Sequence, residues 1–238
     1  MTDANSDIKR LRQAYNHRSA QFGNSDYYSF HNPTNLFFIH QRERQILNLL
    51  KAEGVGQLVG KHILEIGCGG GGVLLDFLRY GAHPGCIFGI DLLHNRLGAA
   101  HQQLPGSYFA NADAQTLPFP SGGFDLLLQF TAFSSILDHQ VKQNMADEML
   151  RMMKEDGCIL WYDFWWNPTN PQTAGIKPNE IRGLFPGCEF LFRKITLAPP
   201  IARRVVPVSW PFALFLESLK IFNSHYLVLI RKLVADST

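Results

Sequence analysis

Apolar positions along this chain follow two alternating rhythms, one suited to strands and one to helices. Residues 1–20 are polar with some helical spacing (Ile8, Leu11, Tyr15), Gly23-Asn24-Ser25-Asp26 breaks the pattern, and Tyr27 to Phe38 is aromatic and rich in turn formers. Leu36, Ile39, Ile46, Leu49 and Leu50 then recur at helical spacing with Gly54 just past the end, which predicts a helix. From residue 61 the two rhythms take turns. The pattern predicts strand 61–66, helix 72–80, strand 86–91, helix 94–103, a brief strand 107–110, strand 124–129, helix 140–154 and strand 158–162. Strands separated by helices at this spacing make a parallel, doubly wound α/β sheet. After Tyr162 a proline-rich loop runs to Pro178, followed by a short helix near 178–185, strands 188–197 and 225–231, and between those strands a bulky apolar helix over 210–222. The expected organisation is a single domain over 57–238 preceded by an N-terminal helical lid over 1–56.

The chain is organised around Ile63-Leu64-Glu65-Ile66 and the following Gly67-Cys68-Gly69-Gly70-Gly71-Gly72, where five of six residues are glycine. Helical spacing resumes at Val73, so the stretch reads as strand, tight turn, helix. Glycine supplies positive φ and has no Cβ, which lets backbone press against a ligand at the carboxyl end of a strand. Right-handed crossovers place this turn and the acids ending the first two strands, Glu65 and Asp91, on one edge of the sheet. Gly67-x-Gly69-x-x-Gly72 with an acid about 20 residues on satisfies the dinucleotide fingerprint. A carboxylate there accepts the ribose hydroxyls of any adenosine ligand, so spacing alone leaves a nicotinamide cofactor and S-adenosylmethionine both open.

Three further features separate them. Glu65 stands just before the turn, where a carboxylate helps to hold a ligand amine, whereas pyrophosphate prefers a bare helix amino terminus. Asn111-Ala112-Asp113-Ala114 follows the third strand and offers Asp113 to an adenine amino group. Ala114 to Asp125 then reads AQTLPFPSGGFD and leads straight into the fourth strand.

Together ILEIGCGGGG, FGIDLL, ADAQTLPFPSGGFDLLL and LRMMKEDGCILWYD resemble the ordered motifs of the class I S-adenosylmethionine-dependent methyltransferases, and more narrowly the type 11 small-molecule group that includes the ubiquinone and menaquinone methyltransferases. The likeness covers about residues 61–163. It implies a Rossmann-like seven-stranded sheet with the last strand antiparallel. It also implies S-adenosylmethionine as cofactor and S-adenosylhomocysteine as product. By the same resemblance Glu65, Gly67, Cys68 and Gly69 surround the methionine moiety, Asp91 and Leu92 the ribose, Asp113 and Ala114 the adenine, and Gln129 and Phe130 the methionine end. Cys68 reads as a small packing residue rather than a nucleophile, because the Pro-Cys expected of cysteine-based pyrimidine methylation is absent after the fourth strand.

Composition narrows the acceptor. Hydrophobic residues make up 46% and charged residues 18% of 238 positions, with a formal charge of +2, which suits a globular protein and not a general polyanion binder. From Arg193 onward, however, seven Lys and Arg face two acids, Glu217 and Asp236. Cys68, Cys86, Cys158 and Cys188 match no zinc pattern, and with no signal-peptide pattern at the start the expected setting is cytoplasmic and reducing. The fourth strand is followed by Gln129-Phe130-Thr131-Ala132-Phe133 rather than the Asp/Asn-Pro-Pro-Tyr of enzymes methylating nucleobase amines. No basic and aromatic stripe for nucleic acid and no metal-binding carboxylate cluster is evident. The expectation is a small organic or lipid-linked acceptor, methylated preferably at oxygen with carbon and nitrogen left open, and with Asp138, His139, His31 and Tyr162 as candidate bases. Phe37, Phe38, Phe130, Phe133, Trp165 and Trp166 suggest an aromatic pocket wall. Trp210 to Phe222, with Arg203, Arg204 and Lys220 nearby, offers a peripheral membrane contact. The rival readings are an NAD(P)-dependent oxidoreductase and a non-catalytic S-adenosylmethionine-binding subunit. Oligomeric state is left open.

Overall fold

The computed structural model describes residues 9–14, 26–167, 170 and 172–233. Ile8, Tyr15 and the break at Gly23-Asn24-Ser25 lie outside them. Among the described residues one sheet holds β1 (Ile63–Ile66), β2 (Ile87–Asp91), β3 (Tyr108–Asn111), β4 (Phe124–Phe130), β5 (Met153–Phe164), β6 (Cys188–Leu197) and β7 (Asn223–Lys232). Their order is β3-β2-β1-β4-β5-β7-β6. β1 to β5 pair in parallel, and β7 runs antiparallel to both β5 and β6. The seven-stranded sheet with an antiparallel last strand is therefore as expected. Because β6 consequently runs with β5, its carboxyl end lies on the same rim as those of β1, β4 and β5.

Besides helical residues 9–14, the α-helices among the described residues are α1 (Pro33–Ala52), α2 (Gly72–Arg79), α3 (His94–Gln103), α4 (His139–Met152), α5 (Pro178–Leu184), α6 (Pro199–Val205) and α7 (Trp210–Ser218). Asn32 caps α1, its Oδ1 accepting the Thr34 and Asn35 amides at 3.0 and 3.3 Å, and Pro33 stands in the first turn, where its missing N–H costs nothing. The sheet is apolar on both sides, as a parallel sheet covered by helices must be. Ile63, Leu126, Leu128 and Leu160 share one core with Ile46, Leu49 and Leu50 of α1 and with Leu74 and Phe77 of α2. Leu64, Ile66, Leu127 and Trp161 share the other with Met145 and Met149 of α4 and Ile181 of α5. Trp161 is fully buried, its ring 4.6 Å from Phe133 and 6.0 Å from Phe185.

Three elements differ from the sequence expectation. β5 begins at Met153 rather than Cys158, because a register shift between Phe124 and Leu126 of β4 lets the residues after α4 pair at once. Helix α6 was not expected, and its two prolines occupy the opening positions that tolerate proline. The apolar helix α7 stops at Ser218, and Lys220 turns the chain at φ 62°. Phe37, Phe130 and Phe133, expected on a pocket wall, are buried core residues, since neighbouring helices and strands cover them.

Candidate active site at the carboxyl rim of the sheet

The turn after β1 is built by backbone. Gly67 and Cys68 each donate an amide to Ile90 O at 2.9 Å, which ties the loop to β2. Gly69 has φ 55° and Gly71 φ 82°, and a Cβ on Gly69 would run into the Arg96 guanidinium while one on Gly71 would sit 2.7 Å from a Leu104 methyl. Asp91 closes the arrangement. Its Oδ2 accepts the Gly69 amide at 2.8 Å, its Oδ1 accepts the Leu93 amide at 2.8 Å, and Arg96 lies 3.4 Å away. One carboxylate thus joins the glycine turn to the amino end of α3. Its neighbour Leu92 leads directly into that helix.

Glu65 is the unusual group. It is 2% exposed, and its Oε2 has no hydrogen-bond partner. Burial, offset in part by Arg42 and reinforced by Asp91, pushes its carboxyl from 4.5 up to about 8. A buried carboxyl oxygen without a partner costs free energy, and a ligand donor or cation relieves it. These two carboxyl groups fit S-adenosylmethionine, whose ammonium would face Glu65 and whose ribose hydroxyls would reach Asp91. A diphosphate would meet Glu65 and Asp91 instead of bare amide donors.

The other expected cofactor residues lie on the same rim in different states. Asp113 forms an Asx-turn, its Oδ1 accepting the Gln115 amide at 2.9 Å, and the Gln115 side chain also donates to it. Ala114, partly buried, follows it in that turn. Gln129 is fully buried, donating from Nε2 to Asp163 Oδ2 at 3.1 Å and accepting the Ala132 amide at 2.8 Å. Asp163 also accepts the Ser134 amide at 3.0 Å, so the pair fixes the loop after β4. Cys68 is buried, and burial first, then Glu65, pushes its thiol well above the usual range, in keeping with a packing role.

Past β4, Phe130 lies 5.5 Å from the Tyr162 ring, and the Arg42 guanidinium of α1 stands 5.9 and 5.8 Å from the two ring centres. Tyr162 stacks on His225 at 4.6 Å with 4° between the planes, and its hydroxyl shares a 2.9 Å hydrogen bond with Thr196. Two β-branched residues hold this tyrosine from positive φ: Thr131 (φ 59°) donates its amide to Tyr162 O, and Thr196 has φ 65°. Such conformations cost about 1–3 kcal/mol each and persist only where the surroundings over-determine them.

The candidate bases do not converge. Tyr162 is at the rim, but burial lifts its phenol to about 12, so it keeps its proton at neutral pH. Asp138 caps α4, accepting the Gln140 and Val141 amides at 2.8 and 3.2 Å. His139 and His31 are exposed. Sequence reasoning missed Arg42, Arg96 and His225. The available signals were a charge within the apolar stripe of α1, an arginine at the start of α3, and a histidine inside an otherwise apolar strand. His225 is 4% exposed, and burial, with Arg42 nearby, holds its imidazole down to about 3.

Residues 63–157 match the family described as a methyltransferase domain. A phthiotriol/phenolphthiotriol dimycocerosates methyltransferase of Mycobacterium ulcerans is 34% identical over 118 residues, covering 48% of this chain and 41% of that protein. A fatty-acid O-methyltransferase of Mycolicibacterium smegmatis is 30% identical over 106 residues, covering 44% of this chain and 37% of that protein. The matched part is thus less than half the length of either relative. Among solved structures, a SAM-dependent methyltransferase from Archaeoglobus fulgidus shares the fold with TM-score 0.56 at 16% identity, covering 87% of this chain and 100% of that one. Residues 63–157 thus match a methyltransferase domain, and the strand order is that of a fold shared with a solved SAM-dependent methyltransferase.

Proposed function

We propose that this protein transfers a methyl group from S-adenosylmethionine to oxygen on a small, lipid-like acceptor. The observation that carries the cofactor half is the buried, unpartnered Glu65 oxygen behind the glycine turn. The acceptor half is supported by the buried aromatic pair Phe130 and Tyr162 near the rim and by relatives named for a lipid and for fatty acids.

When bound, S-adenosylmethionine supplies an activated methyl on a sulfonium whose positive charge disperses as the methyl leaves. The chain supplies position. Gly67 and Gly69 keep the turn free of side chains, Asp91 holds its geometry through the Gly69 and Leu93 amides, and Asp113 with Ala114 lines the adenine side. Gln129 and Asp163 fix the loop that ends β4, and Phe130 and Tyr162 exclude water beside it. The helical residues 9–14 serve as part of a lid. There Arg10 donates to Ser135 O at 2.6 Å and to Gln172 O at 3.2 Å, bridging two loops of the rim.

Oxygen is favoured by the proton inventory. Tyr162 and His225 stay neutral at pH 7, and Asp138 is engaged in capping its helix. An acceptor that arrives as an anion, such as a carboxylate or an acidic hydroxyl, needs no base. Incubation with methyl-labelled S-adenosylmethionine and a panel of long-chain acids, long-chain alcohols and phenols tests the reading. Labelled ester or ether is the expected product. Label at nitrogen or carbon, or no transfer to any apolar acceptor by protein that binds the cofactor, overturns it.

A further inference from the structure

The segment between β6 and β7 folds into the helix pair α6–α7 and leaves a large apolar surface uncovered. Val208 is 85% exposed, Phe212 49%, Phe215 56%, Leu219 42% and Ile221 70%. The Phe212 and Phe215 rings stack on each other at 6.2 Å. Scattered surface hydrophobics need no explanation, but five within fourteen residues form a patch that does.

Charge says what covers it. Residues 199–222 carry Arg203, Arg204 and Lys220 and a single acid, Glu217. The three cations are exposed. Glu217 is 3% exposed and turned inward, its Oε1 accepting the Thr196 amide at 3.2 Å. The outer side of the pair is therefore apolar and basic, with no exposed acid of its own. Arg203 also lies 4.3 Å over the Tyr27 ring, which brings the exposed Tyr28 and Phe30 alongside together with one acid, Asp26. A second copy of this face would set arginine against arginine, whereas anionic headgroups complement it while the phenylalanines enter the acyl boundary.

Topology says why it sits there. β6 ends at Leu197 beside Asn223 of β7, and Ile195, His225 and Phe164 lie in one row across three strands. The helix pair thus emerges from the same rim as the glycine turn. Its inner side reaches the site through Thr196, the hydrogen-bond partner of Tyr162.

We infer that α6–α7 is a docking face for an anionic bilayer surface, which brings the carboxyl rim of the sheet to the membrane. The inference adds a location to the lipid-acceptor reading above, but its test needs no acceptor. The full chain is sedimented with vesicles of phosphatidylcholine alone and with vesicles also containing phosphatidylglycerol. It is expected to bind the anionic vesicles and not the neutral ones, and to be released by salt. Arg204→Gln with Lys220→Gln should weaken partition about 30-fold, at about fivefold per cation. Phe212→Ser with Phe215→Ser should abolish binding, while both double variants keep wild-type S-adenosylmethionine affinity as proof of folding. No vesicle binding by the wild type, equal binding to both compositions, or insensitivity to the variants overturns the inference. So does a wild-type dimer that dissociates in the phenylalanine variant, which would make the face a self-interface. Vesicle binding without transfer to apolar acceptors would sink the acceptor reading alone, and transfer without vesicle binding this inference alone.

Discussion

Replacing Glu65 by glutamine keeps the shape behind the glycine turn and removes its ionisable group, so the effect depends on pH. Burial, opposed by Arg42, lifts the carboxyl from 4.5 to about 8. A carboxyl raised in the folded state keeps a proton that the unfolded chain has lost, so stability falls as pH rises between those values. Fully realised, the fall is about 5 kcal/mol, at about 1.4 kcal/mol per pH unit. Two other buried groups act in the acid part of the range. His225, lowered from 6.5 to about 3, makes stability grow as pH rises toward 6.5, and Asp163, lifted from 3.8 to about 6, makes it shrink as pH rises toward 6. Between pH 6.5 and 8 these two are level and Glu65 retains its slope, which amounts to about 2 kcal/mol across the window. Urea unfolding of the cofactor-free protein at both ends of that window should show the loss in wild type and level stability in Glu65→Gln. A level wild type, or a variant that falls in parallel with it, refutes the reasoning.

Asp91→Ala should weaken S-adenosylmethionine binding by about 2 kcal/mol and lower the melting temperature, since the Gly69 and Leu93 amides lose their acceptor. Calorimetry giving wild-type affinity would remove Asp91 from the site. Gly69→Ala forces a side chain onto a φ of 55° and against Arg96, so at least about a tenfold loss of cofactor affinity is expected in a protein that still folds, read by the same titration. His225→Phe removes a group that must stay neutral when buried. Relative to wild type it should gain about 2 kcal/mol at pH 5 and nothing above pH 7, measured by urea unfolding at the two pH values.

Alternation of strand and helix periods, the glycine turn and the acids closing β1 and β2 were legible in the chain alone. Each is a local signal: period reports which side of an element is buried, and a glycine run between two periods reports a turn. The likeness of motif order to a known family added the antiparallel last strand. What covers each buried face was not legible. Phe37, Phe130 and Phe133 carry the same residue type as Phe38, and only packing buried the first three and left the fourth partly exposed. Hydrogen-bond partners were hidden for the same reason. Asp113 spends its carboxylate on Gln115, Gln129 donates its side-chain amide to Asp163, and Glu65 is left without a partner at one oxygen. Tyr162 meets His225 and Thr196 because β7 enters the sheet between β5 and β6. Burial and charge around a side chain depend on strand order and register, which the whole sheet sets at once, and a linear pattern carries neither.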